Sequence, residues 1–313
     1  MSSAANDTIE FRLTGYCYGP DIFPTPTVEI YINGENFRNK VNSIEHIFAV
    51  DEGHPEITGH ATITPRELYD SLHDDYLRFD SVSIFGCGCG VIECWPLDVA
   101  VDVGAKTVSW YGFNMYHRTN WDYSDLGKYV FYKQQYFQEV DKLLLFEKQG
   151  QEIVENFQVG FDVQEHGWVK MHMSLEGKRC ITNLSYLFSP FDDLLNMLKR
   201  LESDSSSEQV KIDEEGVYTN ICVEESNDVL SVTVVQENAD TTPNGHYSCE
   251  TSRENFILAF KWAFQILEDE GFDPNFWDEH EPGYPYDEED EVNPREVLES
   301  FWKDEWFQFL REP

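Results

Sequence analysis

Cys87, Cys89 and Cys94 crowd into the glycine-rich stretch FGCGCGVIEC, three of the seven cysteines in a chain of 313 residues. Thiolate sulfur is a preferred donor for zinc, and three thiolates joined by one imidazole make a sound tetrahedral set. His117, in the downstream run NMYHR, is the imidazole within reach. The spacing departs from a zinc knuckle, which favours about two to four residues between paired cysteines; here the gaps are one and four. On a regular strand a C-x-C pair places both sulfurs on one face with Cα atoms about 7 Å apart. Binding therefore requires a kink, for which Gly86, Gly88 and Gly90 have the backbone freedom. Two other readings of the cluster stand open. A redox or nucleophilic thiol would need a depressed pKa, and no Lys or Arg adjoins the cysteines to supply it. A glycine-rich bend whose small, apolar cysteines pack inward needs nothing further.

Whatever the cysteines do, a β-hairpin must place them. Val99, Val101 and Val103 alternate with Ala100 and Asp102, and Val108 and Trp110 alternate with Thr107 and Ser109. A two-residue Gly104-Ala105 turn would pair Val101 with Val108 and Val99 with Trp110, keeping one apolar face throughout. Extended past the strands, that register sets Cys94 opposite Met115, with His117 a diagonal step away.

The run CGCGVIECWPLDVAVDVGAKTVSWYGF, followed by HR, DYSDLG and YVFYKQQYFQEVDKL, resembles a widespread set of bacterial proteins. These share C-x-C-G, then Cys-Trp-Pro-Leu, a strand, a V-x-W strand, a downstream His-Arg and an aromatic helix. The resemblance spans roughly residues 81–147 and, more loosely, the strand-turn VEIYINGENF. That set has no established activity, so the resemblance transfers no catalytic role to any residue. It implies a bacterial cytosolic setting.

Around this stretch the chain reads as an α+β protein, with antiparallel sheets each covered by helices. Thr64, Pro65 and Glu67 form the signature of a capping box opening a helix near 65–78. A second helix near 132–147 carries the stripe Tyr136, Phe137, Val140, Leu143 and Leu144. SPFDDLLNMLKRL caps with Ser189 before Pro190, and TSRENFILAFKWAFQILEDEG begins with Thr251 and Glu254 and stops at Gly271. Strands lie between them, turning at Asn33-Gly34, His166-Gly167, Glu176-Gly177 and Ser226-Asn227-Asp228. Three strands and a helix over 157–201, then the same over 217–270, suggest a degenerate βββα duplication.

Three parts follow. Residues 1–148 form an N-terminal α+β domain with the Cys-rich hairpin, and 149–272 a C-terminal α+β domain of two βββα units. Residues 273–313 form an acidic connector followed by an amphipathic aromatic helix, in which Asn293 caps and Leu298, Phe301, Trp302, Trp306, Phe309 and Leu310 make the stripe.

Charge separates the chain from the ordinary. Fifty-nine Asp and Glu against 22 Lys and Arg leave a formal net charge of −37. Such a field repels nucleic acid and anionic membrane and attracts cationic surfaces over a distance. Solubility or salt adaptation would produce the same composition. The start, MSSAANDTIEFRL, has neither the basic nor the apolar region of a signal peptide. No run of about 18 apolar residues is present to span a bilayer. Seven scattered cysteines make no disulfide framework and fit a reducing cytoplasm.

The hydrolase elbow, the phosphate loop and the H-E-x-x-H helix are all missing, so no catalytic residue is expected. His280 sits in a solvated acidic loop, and the DEEDE run lacks the spacing of a calcium loop. The expected function is an acidic, cytosolic, immunity-like binding protein that neutralises a basic protein partner such as a toxin. Trp277, Asp278, Tyr284, Tyr286, Glu288, Glu289 and Asp290, with Trp302 and Trp306 of the last helix, are the expected contacts. Rival readings are a DNA-mimic inhibitor, an enzyme using zinc or a thiol at the cysteine cluster, and a structural protein self-associating through Trp302 and Trp306. No cofactor is expected beyond the zinc that Cys87, Cys89, Cys94 and His117 would hold as a structural ion.

Overall fold

Asn33 and Gly34 both take left-handed backbone, φ 56° and 81°, the conformation that a two-residue type I′ hairpin demands. They turn strand β2 (Thr25–Ile32) into the short β3 (Glu35–Asn36), while β1 (Ile9–Tyr16) pairs antiparallel along the other edge of β2. The computed structural model describes residues 6–54, 59–73, 81–164, 168–240, 242–275 and 300–303. The chain divides into two compact units. The first holds Met1–Asp21 and Thr25–Gln151, the second Ile22–Pro24 and Glu152–Pro313. Among the described residues there are five α-helices and four antiparallel sheets, an α+β fold.

In the first unit, Asn36 caps helix α1 (Phe37–Asp51) by accepting from the Asn39 amide at 3.0 Å. The sequence reading has no helix here, for a physical reason. The buried positions are Phe37, Val41, Glu45 and Ala49, so one member of the inward stripe is a carboxylate, while Ile47 and Val50 face solvent. Helix α2 (Pro65–Leu72) opens with the expected capping box, Thr64 and Glu67 bonding reciprocally. Strands β4 (Val82–Phe85), β5 (Leu97–Val103), β6 (Thr107–Asn114) and β7 (Tyr129–Tyr132) form a meander. Single bridges Asp7–Phe131, Val28–Ile63 and Ala61–Gly86 connect that meander with β1–β2 into an interrupted ring. Its interior is aromatic: Trp110, Phe131 and Tyr136 meet with ring centroids 5.6–6.1 Å apart. Tyr136 belongs to helix α3 (Lys133–Asn156), where Val140 and Leu143 are also buried but Leu144 of the expected stripe is exposed.

The hairpin register differs from expectation by two residues. Val103 pairs with Val108 and Val101 with Trp110, because the turn residues are Ala105-Lys106, closed by Gly104 N–H donating to Thr107 O at 2.8 Å. A slip of two preserves the buried face, so side-chain alternation alone does not choose between these registers. A bulge between Asp98 and Ala100 then puts Asp98 opposite Asn114.

The second unit contains two meanders. β8 (Phe157–Gln164), β9 (Trp168–Leu175) and β10 (Lys178–Ser185) precede helix α4 (Phe191–Glu202). β11 (Ser207–Asp213), β12 (Val217–Ser226), β13 (Val229–Asn238) and β14 (Pro243–Thr251) precede helix α5 (Arg253–Asp269). The units are therefore βββα and ββββα, the extra strand being β11. Glu176-Gly177 and Asn227-Asp228 take the left-handed backbone of their tight turns. Two caps move by one residue. Thr251 still pairs with Leu230 as the end of β14, so Ser252 caps α5 by accepting from the Asn255 amide at 3.1 Å. Pro190, rather than Ser189, occupies the N-cap of α4. Phe191, Phe161 and Phe264 pack together at the centre. In β8, Gly160 lies so close to Ile22 that a Cβ would overlap the Ile22 carbonyl oxygen.

Candidate functional site

The cysteine stretch hangs from the end of β4. Gly86 exchanges both backbone hydrogen bonds with Ala61, each 3.0 Å, and a Cβ there would press on Ile63 Cγ2 at 3.1 Å and on Ile92 Cα at 3.3 Å. Gly88 O accepts from Gly19 N–H at 3.0 Å. Gly90, at φ 85°, reverses the chain with its amide donating to Cys87 O, and a 3-10 turn over Ile92–Cys94 completes the return. The three Sγ atoms thereby lie within 4.8 Å of one another.

Burial does not account for this arrangement. Cys87 is half-buried, but Cys89 and Cys94 are exposed, so inward packing is not what the cysteines achieve. None of the seven cysteines is joined in a disulfide. Within the cluster, partial burial pushes the Cys87 thiol up to about 11. The hydrogen bond from Cys87, and then the Val91 amide, draw Cys89 below its ordinary value. Neighbouring thiols thus supply the stabilisation that sequence reading sought, without success, from Lys or Arg.

His117 is placed beside the loop but not within the sulfur cluster. Its Nε2 is 3.1 Å from Glu93 O, the carbonyl preceding Cys94, and the same oxygen accepts from Tyr116 Oη at 2.5 Å. The converging ligand atoms are those of the three cysteines.

A layered polar structure lies behind Cys94. The Arg118 guanidinium faces Trp95 at 5.3 Å and Trp121 at 5.8 Å, a cation–π arrangement, with Glu52 Oε2 3.9 Å away. Beneath it, His60 Nδ1 is 3.1 Å from Trp95 O and its Nε2 2.7 Å from Glu45 Oε1. Tyr123 Oη donates to the same carboxylate oxygen at 2.6 Å. Burial first, then the Glu45 charge, raises the Tyr123 phenol far above its usual range.

The other expected contacts fare differently. Trp277, Asp278, Tyr284, Tyr286, Glu288, Glu289, Asp290 and Trp306, together with His280, lie outside the described residues. Trp302 is 6 % exposed. Its Nε1–H donates to Phe272 O at 2.8 Å, and its ring packs on Phe264 and Phe301. Asp273 fixes this piece by accepting from Ser300 Oγ and the Phe301 amide. Trp302 is a core residue of the second unit rather than an anchor offered to a partner or to a second copy.

What sequence reading missed is the 3-10 turn Tyr186-Leu187-Phe188, exposed at 48, 59 and 51 %. Carboxylates border it. Ser185 Oγ donates to Glu215 Oε1 at 2.6 Å, Asn183 N–H donates to Glu214 Oε2 at 2.9 Å, and Asp192 and Asp193 open α4 just beyond. The signal was present in SYLFSP: three consecutive large apolar residues, breaking strand alternation before Ser-Pro, in a place where no element buries them.

Compared with known protein families, with curated proteins and with solved structures, the chain has no match. Among the described residues, no helix is long and apolar enough to cross a membrane.

Proposed function

We propose that the protein is an acidic binding protein that neutralises a basic protein partner in a bacterial cytosol, as an immunity protein covers a toxin's cationic site. One observation carries the reading: the exposed Tyr186-Leu187-Phe188 turn is rimmed by Asp192, Asp193, Glu214 and Glu215. An aromatic and aliphatic anchor inside a charged rim is the anatomy of a binding hot spot. The sign of the rim selects the partner.

The rest of the charge supports it. Among the described residues, the buried acids are Glu29, Glu45 and Glu139, and the other described acids are half-buried or exposed. Arg12, Arg38, Arg66, Arg118, Arg200 and Arg253 each lie against a carboxylate of this chain, and the formal −37 is what remains after every Lys and Arg is counted. Long-range attraction would steer encounter, with rates up to ~10⁸–10⁹ M⁻¹s⁻¹ at low salt. Desolvation of Leu187 and Phe188 would then hold the complex.

The test compares the full chain with a Leu187→Ser/Phe188→Ser variant as bait in native lysate at low ionic strength. The expected result is a basic protein retained by the parent, released by rising salt and lost by the variant. Retention of the same proteins by both baits, or of acidic proteins only, overturns the reading.

A further inference from the structure

We propose that Cys87, Cys89, Cys94 and His117 form a mononuclear zinc site, independent of the partner-binding reading. The first support is convergence without burial. Three sulfurs within 4.8 Å of one another on a solvent-facing loop gain little from the hydrophobic effect, and an odd number of thiols cannot all pair as disulfides. Tetrahedral zinc with bonds of about 2.3 Å places its sulfurs about 3.8 Å apart. Closing from within 4.8 Å needs at most about 1 Å, and Cys89 and Cys94 are exposed, with room for their side chains to turn.

A second support is the loop itself. Its backbone is anchored where the chain enters the turn: Gly86 by Ala61, and Gly88 by Gly19. The Cys89 amide already lies 3.5 Å from Cys87 Sγ as a donor. An N–H directed at a sulfur offsets the charge of a metal-bound thiolate, and such outer contacts orient ligands and tune affinity.

The fourth donor comes from His117. Its ring is exposed, and its Nε2 rests on the carbonyl one peptide away from Cys94. Rotation of the side chain toward the sulfurs releases that carbonyl, which keeps Tyr116 Oη as its donor. The exchange leaves no buried group unpaired. With four protein ligands the site is closed, so it takes a divalent d10 cation as a structural ion and offers no open position for catalysis.

The experiment uses the full chain, reduced and stripped of metal, titrated with Co²⁺ and then with Zn²⁺. One equivalent of Co²⁺ is expected to give thiolate-to-cobalt absorption in the near ultraviolet and tetrahedral d–d bands, both erased by Zn²⁺. Cys87→Ser, Cys89→Ser and Cys94→Ser each weaken the charge-transfer band. His117→Ala keeps that band, shifts the d–d maxima and lowers affinity at least about tenfold. A companion measurement needs no variant: Zn²⁺ protects Cys87, Cys89 and Cys94 from alkylation while Cys17 and Cys222 react as before. Absence of cobalt absorption with unchanged alkylation overturns the site, as does selective uptake of copper(I) with zinc ignored. A His117→Ala spectrum and affinity identical to the parent's overturns the four-ligand set.

Discussion

His60 and Glu45 meet through Nε2 and Oε1 at 2.7 Å with both side chains at 0 % exposure, and the second oxygen of Glu45 is buried without a hydrogen-bond partner. Breaking such a pair leaves an uncompensated polar or charged group in the interior, a cost of roughly 3–5 kcal/mol. His60→Ala and Glu45→Ala should each destabilise the protein by about that much in chemical denaturation. Glu45→Gln, which still presents an oxygen to Tyr123 and His60, should lose less. A loss under about 1 kcal/mol for His60→Ala would show that the site relaxes or hydrates.

Gly160 tests packing rather than polarity. Because a Cβ would overlap Ile22 O, Gly160→Ala must displace either β8 or the Ile22–Pro24 segment. Overpacking of this kind costs about 1–3 kcal/mol. Thermal unfolding should show the loss, while Gly104→Ala, whose Cβ meets nothing nearer than Thr107 O at 3.3 Å, should show much less.

Arg253 ties three elements together. Its guanidinium donates to Leu201 O at 2.8 Å, to Asp204 Oδ1 at 3.2 Å and to Glu225, joining the start of α5 to the end of α4 and to β12. Those partners hold its pKa above the ordinary value, the Glu225 hydrogen bond being the largest cause. Arg253→Ala should cost about 1.5–3 kcal/mol, measured by denaturant midpoint. Arg253→Lys should recover little, because an ammonium lacks the planar fork that reaches all three acceptors.

His172 predicts a pH dependence. Burial holds its imidazole below the ordinary value of 6.5, the attraction of Asp162 offsetting this in part and Lys170 and Arg179 adding to it. The unfolded chain therefore takes up a proton that the folded protein resists. Stability from this group is complete above pH 6.5 and is lost as pH falls through the lower folded value. Urea unfolding at pH 7.5 and 5.5 should show a smaller decline in His172→Gln than in the parent; equal declines would assign the effect elsewhere.

Local chemistry was the legible part of the sequence. Thr64, Pro65 and Glu67 announce α2, and the Asn33-Gly34, Glu176-Gly177 and Asn227-Asp228 turns sit where their dipeptides require. Elements whose identity depends on distant partners were harder to read. Helix α1 hides because Glu45 looks polar until His60 and Tyr123 are brought to it. Strand β11 hides because Val210 and Ile212 are its only buried residues. At the candidate site, the glycines left convergence of Cys87, Cys89 and Cys94 open beside inward packing of the same cysteines. The hold of Glu93 O on His117 was not anticipated, since a carbonyl's partner leaves no trace in residue type.

The excursion of Ile22–Pro24 into the second unit sets a limit on how the gene can be divided. A fragment ending at Gln151 would keep Ile22 and Phe23 yet discard Gly160 and Arg179, which receive them. A fragment starting at Glu152 would have the opposite deficit. Either half would thus lose packing partners at Ile22–Pro24, and domain-swapped chimaeras built at the α3 junction would inherit a mismatched splice near their amino terminus.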